Sequence, residues 1–210
     1  LKLPKKEMWA QTTFFKIMKK KILDLINTEN KKLYNSLKLF NQKSFNNFVT
    51  LCELSIRAIK KKKKIIFYGN GGSASDSQHL AAELVVRYKK NRPAISAMAL
   101  TSDNSIITAV SNDFSFINVF SRQLEAIGKR GDICIALTTS GNSKNLIEAA
   151  KAAKKIGIKT FCFSGNHGGK IKRYTKYPII IDSNLPSIIQ VIELHLGQIY
   201  CGVIEESVSK

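Results

Sequence analysis

Between Lys19 and Leu39, apolar residues recur at Ile22, Leu25, Ile26, Leu33, Leu37 and Leu39, close to the spacing that lines one face of a helix. Ser44 to Lys62 carries Phe48, Leu51, Leu54 and Ala58 at the same period, so a helical N-terminal hairpin is expected. The pattern then changes. Short apolar runs at Ile65–Tyr68, Ala97–Leu100, Ile133–Leu137, Thr160–Phe163 and Ile179–Ile181 read as strands. Helical patterns cover about Ser75–Lys89, Ile117–Ile127, Lys144–Ile156 and Pro186–Glu206. Strands that are apolar throughout and separated by helices belong in a parallel sheet covered on both faces. The expected class is therefore α/β, a doubly wound five-stranded parallel sheet with an N-terminal helical hairpin.

At 210 residues and 44% hydrophobic content, the chain can bury one substantial core. Residues 1–17 show little continuity with the segment after them, and Met18-Lys-Lys-Lys looks like a natural start. They are expected to be a disordered or artefactual extension, with 18–210 forming one domain. No uninterrupted apolar run approaches the ~20 residues of a membrane span, and no secretory signal opens the chain. A cytoplasmic protein without a membrane partner is expected. Cys52, Cys134, Cys162 and Cys201 lie far apart inside apolar segments and form no CxxC pair, so they are expected as reduced core residues.

The formal charge of +19 raises the question of a nucleic-acid partner. Residues 1–64 hold 17 Lys+Arg against 4 Asp+Glu, leaving +13 before the first strand and +6 after it. That excess is mostly lysine on helical segments, which fits solvated helix faces better than a shaped groove, so nucleic acid is not expected.

In such sheets ligands bind beyond the carboxyl ends of the strands, and two strand-to-helix turns stand out there. The first contains Gly69-Asn70-Gly71-Gly72-Ser73, where glycines allow close backbone approach and a helix start offers N–H groups to an anion. It lacks the lysine of a P-loop and the glycine spacing of a dinucleotide site. Taken alone, such a turn is as often purely structural. The second, Thr138-Thr139-Ser140-Gly141-Asn142-Ser143, gathers four hydroxyls at a helix start. A serine N-cap would need only one of them. His79 and Glu83, four apart on one helix face, suit either an ordinary surface pair or a metal pair.

The run Gly69-Asn-Gly-Gly-Ser-Ala-Ser-Asp-Ser-Gln-His-Leu-Ala-Ala-Glu-Leu, with Ser111-Asn112-Asp113-Phe114, Thr139-Ser-Gly-Asn-Ser143 and Gly168-Gly169, resembles the sugar-isomerase (SIS) family, whose fold is flavodoxin-like. Within it the chain is similar to the sedoheptulose-7-phosphate isomerases, over about Met18 to Glu206. The resemblance implies an aldose-ketose isomerase for a sugar phosphate and a homotetramer. It also implies one zinc ion per subunit on His79, Glu83, Gln190 and position 198, with Glu83 moving a proton between the first two carbons. Asn70, Gly71, Gly72, Ser73, Thr138, Thr139, Ser140, Ser143 and Gln190 would hold the substrate and its phosphate. Asn112 and Asp113 would grip hydroxyls.

One position departs from the family. Aligned without gaps, Gln198 stands where the family's catalytic His is expected, and glutamine is neither acid nor base. His195, one turn earlier and about 60° around the helix, is a possible partial substitute. The lost histidine and the basic N-terminal hairpin also allow a different class, a non-catalytic SIS regulator resembling the replication-initiator-binding proteins. The retained His79 and Glu83 argue against it.

Overall fold

The computed structural model describes residues 5–38 and 40–208. Helices α1 (Lys5–Lys38) and α2 (Gln42–Lys60) are the two N-terminal helices expected, but they pack on the C-terminal helix rather than against each other as a hairpin would; Leu39 lies outside the described residues. The chain then alternates: β1 (Ile65–Gly69), α3 (Gly72–Val85), β2 (Ala97–Ala99), α4 (Asn104–Asp113), α5 (Val119–Ile127), β3 (Ile133–Thr138), α6 (Lys144–Ile156), β4 (Lys159–Ser164), β5 (Tyr177–Ile180) and α7 (Pro186–Val208). α1 passes through position 17 as one helix, and residues 1–4 of the expected extension lie outside the described residues.

Helix α4 was not expected from the apolar pattern, because Ile106, Ile107 and Val110 make a stripe of barely two turns. Its start was marked in polar residues instead: the Asp103 side chain caps the helix by accepting the Ile106 N–H at 3.0 Å.

All strand pairs are parallel, in the order β2-β1-β3-β4-β5. Side chains alternate across the sheet and build two cores. Ile65, Phe67, Ile135, Leu137, Phe161 and Phe163 meet Leu51 of α2, Leu80 and Leu84 of α3, and Ile192 and Tyr200 of α7. Ile66, Tyr68, Cys134, Ala136 and Cys162 meet Phe120 and Leu124 of α5 and Leu146 and Ala149 of α6. Each fully buried leucine here contributes enough that truncation to alanine costs ~2–5 kcal/mol.

α2 also closes the β5 edge. Ser44 Oγ donates to the Ile180 carbonyl at 3.2 Å and accepts the Ile180 N–H at 2.9 Å, and Asn47 Nδ2 donates to the Pro178 carbonyl at 2.7 Å. Backbone groups that would otherwise invite another strand are satisfied within the chain.

The four cysteines are free and buried, as expected. Burial pushes the Cys52 thiol up to about 12 and the Cys162 thiol up to about 11, so neither is a thiolate nucleophile near neutral pH. α7 is long and apolar enough by composition to cross a membrane, but half of it is buried in the protein, as a core helix requires.

Candidate active site

β1 lies between β2 and β3, so its following connection leads one way across the sheet while β3, β4 and β5 extend the other. The crevice at such a reversal is where ligands bind in open α/β sheets. Both polar turns open there, one after β1 and one after β3. They are tied together by a reciprocal amide pair, Asn70 Nδ2 to Asn145 Oδ1 at 3.0 Å and Asn145 Nδ2 to Asn70 Oδ1 at 2.9 Å. A small cavity of about 50 Å³ between them is lined by Asn70, Ser73, Thr138, Thr139, Ser143 and Gln190.

The N-cap position of α3 is Gly71, which has no side chain to cap the first N–H groups. Ser143 stands at the N-cap position of α6, yet its hydroxyl makes no capping bond. Apart from the Leu146 N–H, which donates to Asn145 Oδ1 at 3.0 Å, the helix-start N–H groups and the Ser143 hydroxyl are free of side-chain caps and open to a ligand. Thr138 Oγ1 accepts the Gly141 N–H at 3.1 Å, and Ser140 Oγ accepts the Asn142 N–H at 3.1 Å, which shapes the second turn from within. Gly141 has φ +65°, and a β-carbon there would come within 2.5 Å of the Gly168 carbonyl oxygen. The Gly168–Gly169 segment backs the turn, held by Ile171 N–H to the Gly141 carbonyl at 2.8 Å.

α3 and α7 run side by side in the same direction, as the pairs Ser73 with Glu193 and His79 with Gln198 show. Gly197 permits the close approach: a β-carbon there would stand 2.5 Å from Leu80 Cδ1. Further along this pair, His79 Nε2 lies 3.0 Å from Glu83 Oε1, and Gln198 Nε2 lies 2.7 Å from His79 Nε2 and 3.2 Å from Glu83 Oε1. One ring nitrogen holds either a proton or a lone pair, so it cannot donate to Glu83 and accept from the amide together. Turning the amide end for end puts its oxygen in place of the nitrogen. Imidazole nitrogen, carboxylate oxygen and amide oxygen then face a common point, a donor set that a divalent cation accepts. Among the described residues no three His, Cys, Asp or Glu side chains gather around one point, so a cation held here would have to draw any third side-chain donor from an amide.

Behind this cluster Arg92 Nη2 donates to the Glu83 carbonyl at 2.8 Å, with Arg92 Nε 3.3 Å from Glu205 Oε1. Glu205 is buried, which raises its pKa, but N–H groups of Tyr88, Lys89 and Lys90 and the Arg92 charge hold it below the usual carboxylate range. The backbone of Glu83 is therefore braced while its side chain stays 20% exposed, facing an open cleft of about 390 Å³ with His79, Ala82, Val86 and Arg87.

Not every expected residue joins these groups. Gln190 sits at the turn end, its amide against Gly72, eight residues from Gln198 and so about 12 Å along α7. Asn112 and Asp113 are exposed at the end of α4, where Asn112 Nδ2 donates to Asp113 Oδ1 at 2.8 Å. His195 is exposed on α7, and no hydrogen bond joins it to His79, Glu83 or Gln198.

Two residues were missed. Asn145 carried no signal beyond its place after Ser143. Glu193 is fully buried between the turns, with Oε2 3.1 Å from Ser73 Oγ and Oε1 accepting the Thr138 N–H at 2.9 Å. A carboxylate on the apolar face of α7 was the available sign.

The SIS domain family model matches residues 30–165. The phosphoheptose isomerase of Akkermansia muciniphila is 47% identical over 150 residues, covering 71% of this chain and 79% of that protein. That of Clostridium acetobutylicum is 45% identical over 157 residues, covering 75% and 80%. Among solved structures, a phosphoheptose isomerase from Francisella tularensis superposes with a TM-score of 0.83 at 26% identity, covering 88% of this chain and 98% of that one. One from Neisseria gonorrhoeae gives 0.79 at 31%, covering 90% and 99%.

Proposed function

Because this chain belongs to the SIS-domain family and, within it, to the phosphoheptose isomerases, and so is a phosphosugar isomerase, we propose that it converts sedoheptulose 7-phosphate to D-glycero-D-manno-heptose 7-phosphate. The product would feed heptose synthesis for lipopolysaccharide or capsule precursors in the cytoplasm. The observation that carries this reading is the meeting of Glu83, His79 and Gln198 about two to three helical turns along α3 from the anion-type turns.

The substrate phosphate is taken by the Gly71–Ser73 and Thr138–Ser143 turns, through helix-start N–H groups and hydroxyls. Along α3, His79 lies about 10 Å and Glu83 about 16 Å beyond Gly72. Such a span favours a long, extended sugar phosphate over a triose. Glu83 Oε1 faces His79 Nε2, which leaves Oε2 to take a proton from the first carbon of the ketose and return it to the second, while the hydroxyl proton leaves the first oxygen and one is gained by the second through exchange with solvent in the open cleft. Zinc, one per subunit, would be held by His79, Glu83 and Gln198, and when bound it would supply positive charge to the oxygens of the reacting carbons. Gln190, against Gly72 and about 12 Å along α7 from Gln198, is too far away to be the expected fourth donor within the same chain. Gln198 acts by holding and orienting, since an amide transfers no proton at neutral pH.

A homotetramer is part of this proposal. Phe14, Phe15, Ile22, Leu25 and Ile26 on α1 are exposed, as are Val85, Val86, Ile199 and Val203 on the α3–α7 face beside the cleft. Apolar surface of this extent calls for a second copy.

The test is an isomerase assay of purified protein with sedoheptulose 7-phosphate, after chelation and again after zinc is restored. Formation of the aldose phosphate that is lost on chelation and regained with zinc supports the proposal. No product under either condition overturns it and favours a regulatory SIS protein.

A further inference from the structure

The carboxyl group of Glu193 takes no part in the chemistry above, yet it lies beneath both turns. One oxygen meets Ser73 Oγ at the start of α3, and the other accepts the Thr138 N–H at the end of β3. These contacts join the two elements whose following groups line the 50 Å³ cavity. The Asn70–Asn145 pair joins the same two turns at a second point. Truncating the carboxyl would leave a buried hydroxyl and a buried N–H without partners, and the turns would be held together at the Asn70–Asn145 pair alone, with their spacing beneath the cavity no longer fixed.

We propose that Glu193 is a positioning residue that fixes the spacing of the two turns and thereby the affinity for the phosphate group of the substrate. The proposal rests on the assignment of those turns to phosphate. Burial pushes the Glu193 pKa up to about 8, against hydrogen bonds from Ser73 and Thr138 that lower it, while Asp76 raises it further. The bracket is therefore mostly uncharged at neutral pH and does not repel a dianion as an ionised carboxylate would. Glutamine can reproduce it, with its oxygen accepting the Thr138 N–H and its nitrogen donating to Ser73. Aspartate, one methylene shorter, cannot span both partners.

Glu193→Gln, Glu193→Asp and Glu193→Leu should be compared with the parent by calorimetric titration with inorganic phosphate, and by kcat and KM for sedoheptulose 7-phosphate. Circular dichroism verifies that each variant is folded. Loss of the bracket should weaken phosphate binding and raise KM about tenfold or more in the Leu and Asp variants, with kcat within about threefold. Gln should keep both constants within about threefold of the parent. If the Leu variant does not fold, the Asp variant carries the comparison alone. Unchanged phosphate affinity in a folded Asp or Leu variant overturns the proposal, as does a loss in kcat with KM unchanged, or a Gln variant as impaired as Asp. A parent that binds phosphate but does not isomerise would count against the proposed reaction, and the phosphate titrations would still decide the role of Glu193.

Discussion

The two ends of the α3–α7 pair differ in how much of the work one chain completes. At the turn end, Ser73, Thr138, Asn145 and Glu193 are buried, Glu193 hydrogen-bonds both Ser73 and Thr138 while Asn145 pairs with Asn70, and the cavity beside them is small. At the other end, His79, Glu83 and Gln198 meet at the edge of an open cleft, with the His79 side chain 48% exposed and Val86 beside it. A phosphate dianion needs a fixed cradle of donors, which one packed chain supplies. Proton transfer needs a group that exchanges protons and receives help from a nearby charge, and that end stays open to solvent.

The largest expected effect lies at the accessible end. Glu83→Gln keeps the size and removes the base, so turnover should fall at least ~10²-fold while circular dichroism and phosphate binding stay near the parent's. Above a hundredth of the parent's rate, Glu83 is not the base. A smaller change of opposite sign is expected at Gln198. An imidazole binds zinc better than an amide, so Gln198→His should raise activity at limiting zinc or tighten zinc binding. In the same assay His195→Ala should have little effect, because His195 is exposed and apart from the cluster. A ~10²-fold loss there would mean that His195 reaches the substrate.

At the buried end the effect is on stability and follows pH. Glu193 ionises near pH 4.3 when unfolded but near 8 when folded. Between those values the folded state binds more protons, so stability is greatest below the unfolded pKa and falls as pH rises toward 8. Glu193→Gln removes that loss. Its melting temperature relative to the parent should therefore rise by several degrees between pH 5 and pH 8, and a constant difference would contradict the buried, protonated assignment. The mildest test concerns the cover. Light scattering at micromolar concentration should give four copies of the 23.5 kDa chain, and a monomer would leave the α1 and α3–α7 apolar faces unexplained.

Much of the sheet was legible because a parallel strand covered on both faces has to be apolar throughout, as Ile65–Tyr68 and Ile133–Leu137 are. The turns were legible because glycine and hydroxyl residues cluster where backbone must approach a ligand. Two things were not. α4 is short and starts on a cap rather than a stripe. The partnership of Glu193 with Ser73 and Thr138 spans 120 and 55 residues, and no local pattern records which distant groups will satisfy a buried carboxyl. The pairing of His79 with Glu83 follows from helical spacing, whereas the arrival of Gln198, 119 residues from His79, depends on how closely α7 packs at Gly197.

The central claim is that Glu83 carries a proton between the first two carbons of the ketose. It is tested most directly by running the zinc-loaded protein on sedoheptulose 7-phosphate in D2O and locating deuterium in the product by NMR. Since the Glu83 side chain is partly exposed, its proton exchanges with solvent, and deuterium should appear at the second carbon of the aldose in the parent and not in Glu83→Gln. Product without deuterium at that carbon, or equal incorporation by the Glu83→Gln variant, would contradict the account.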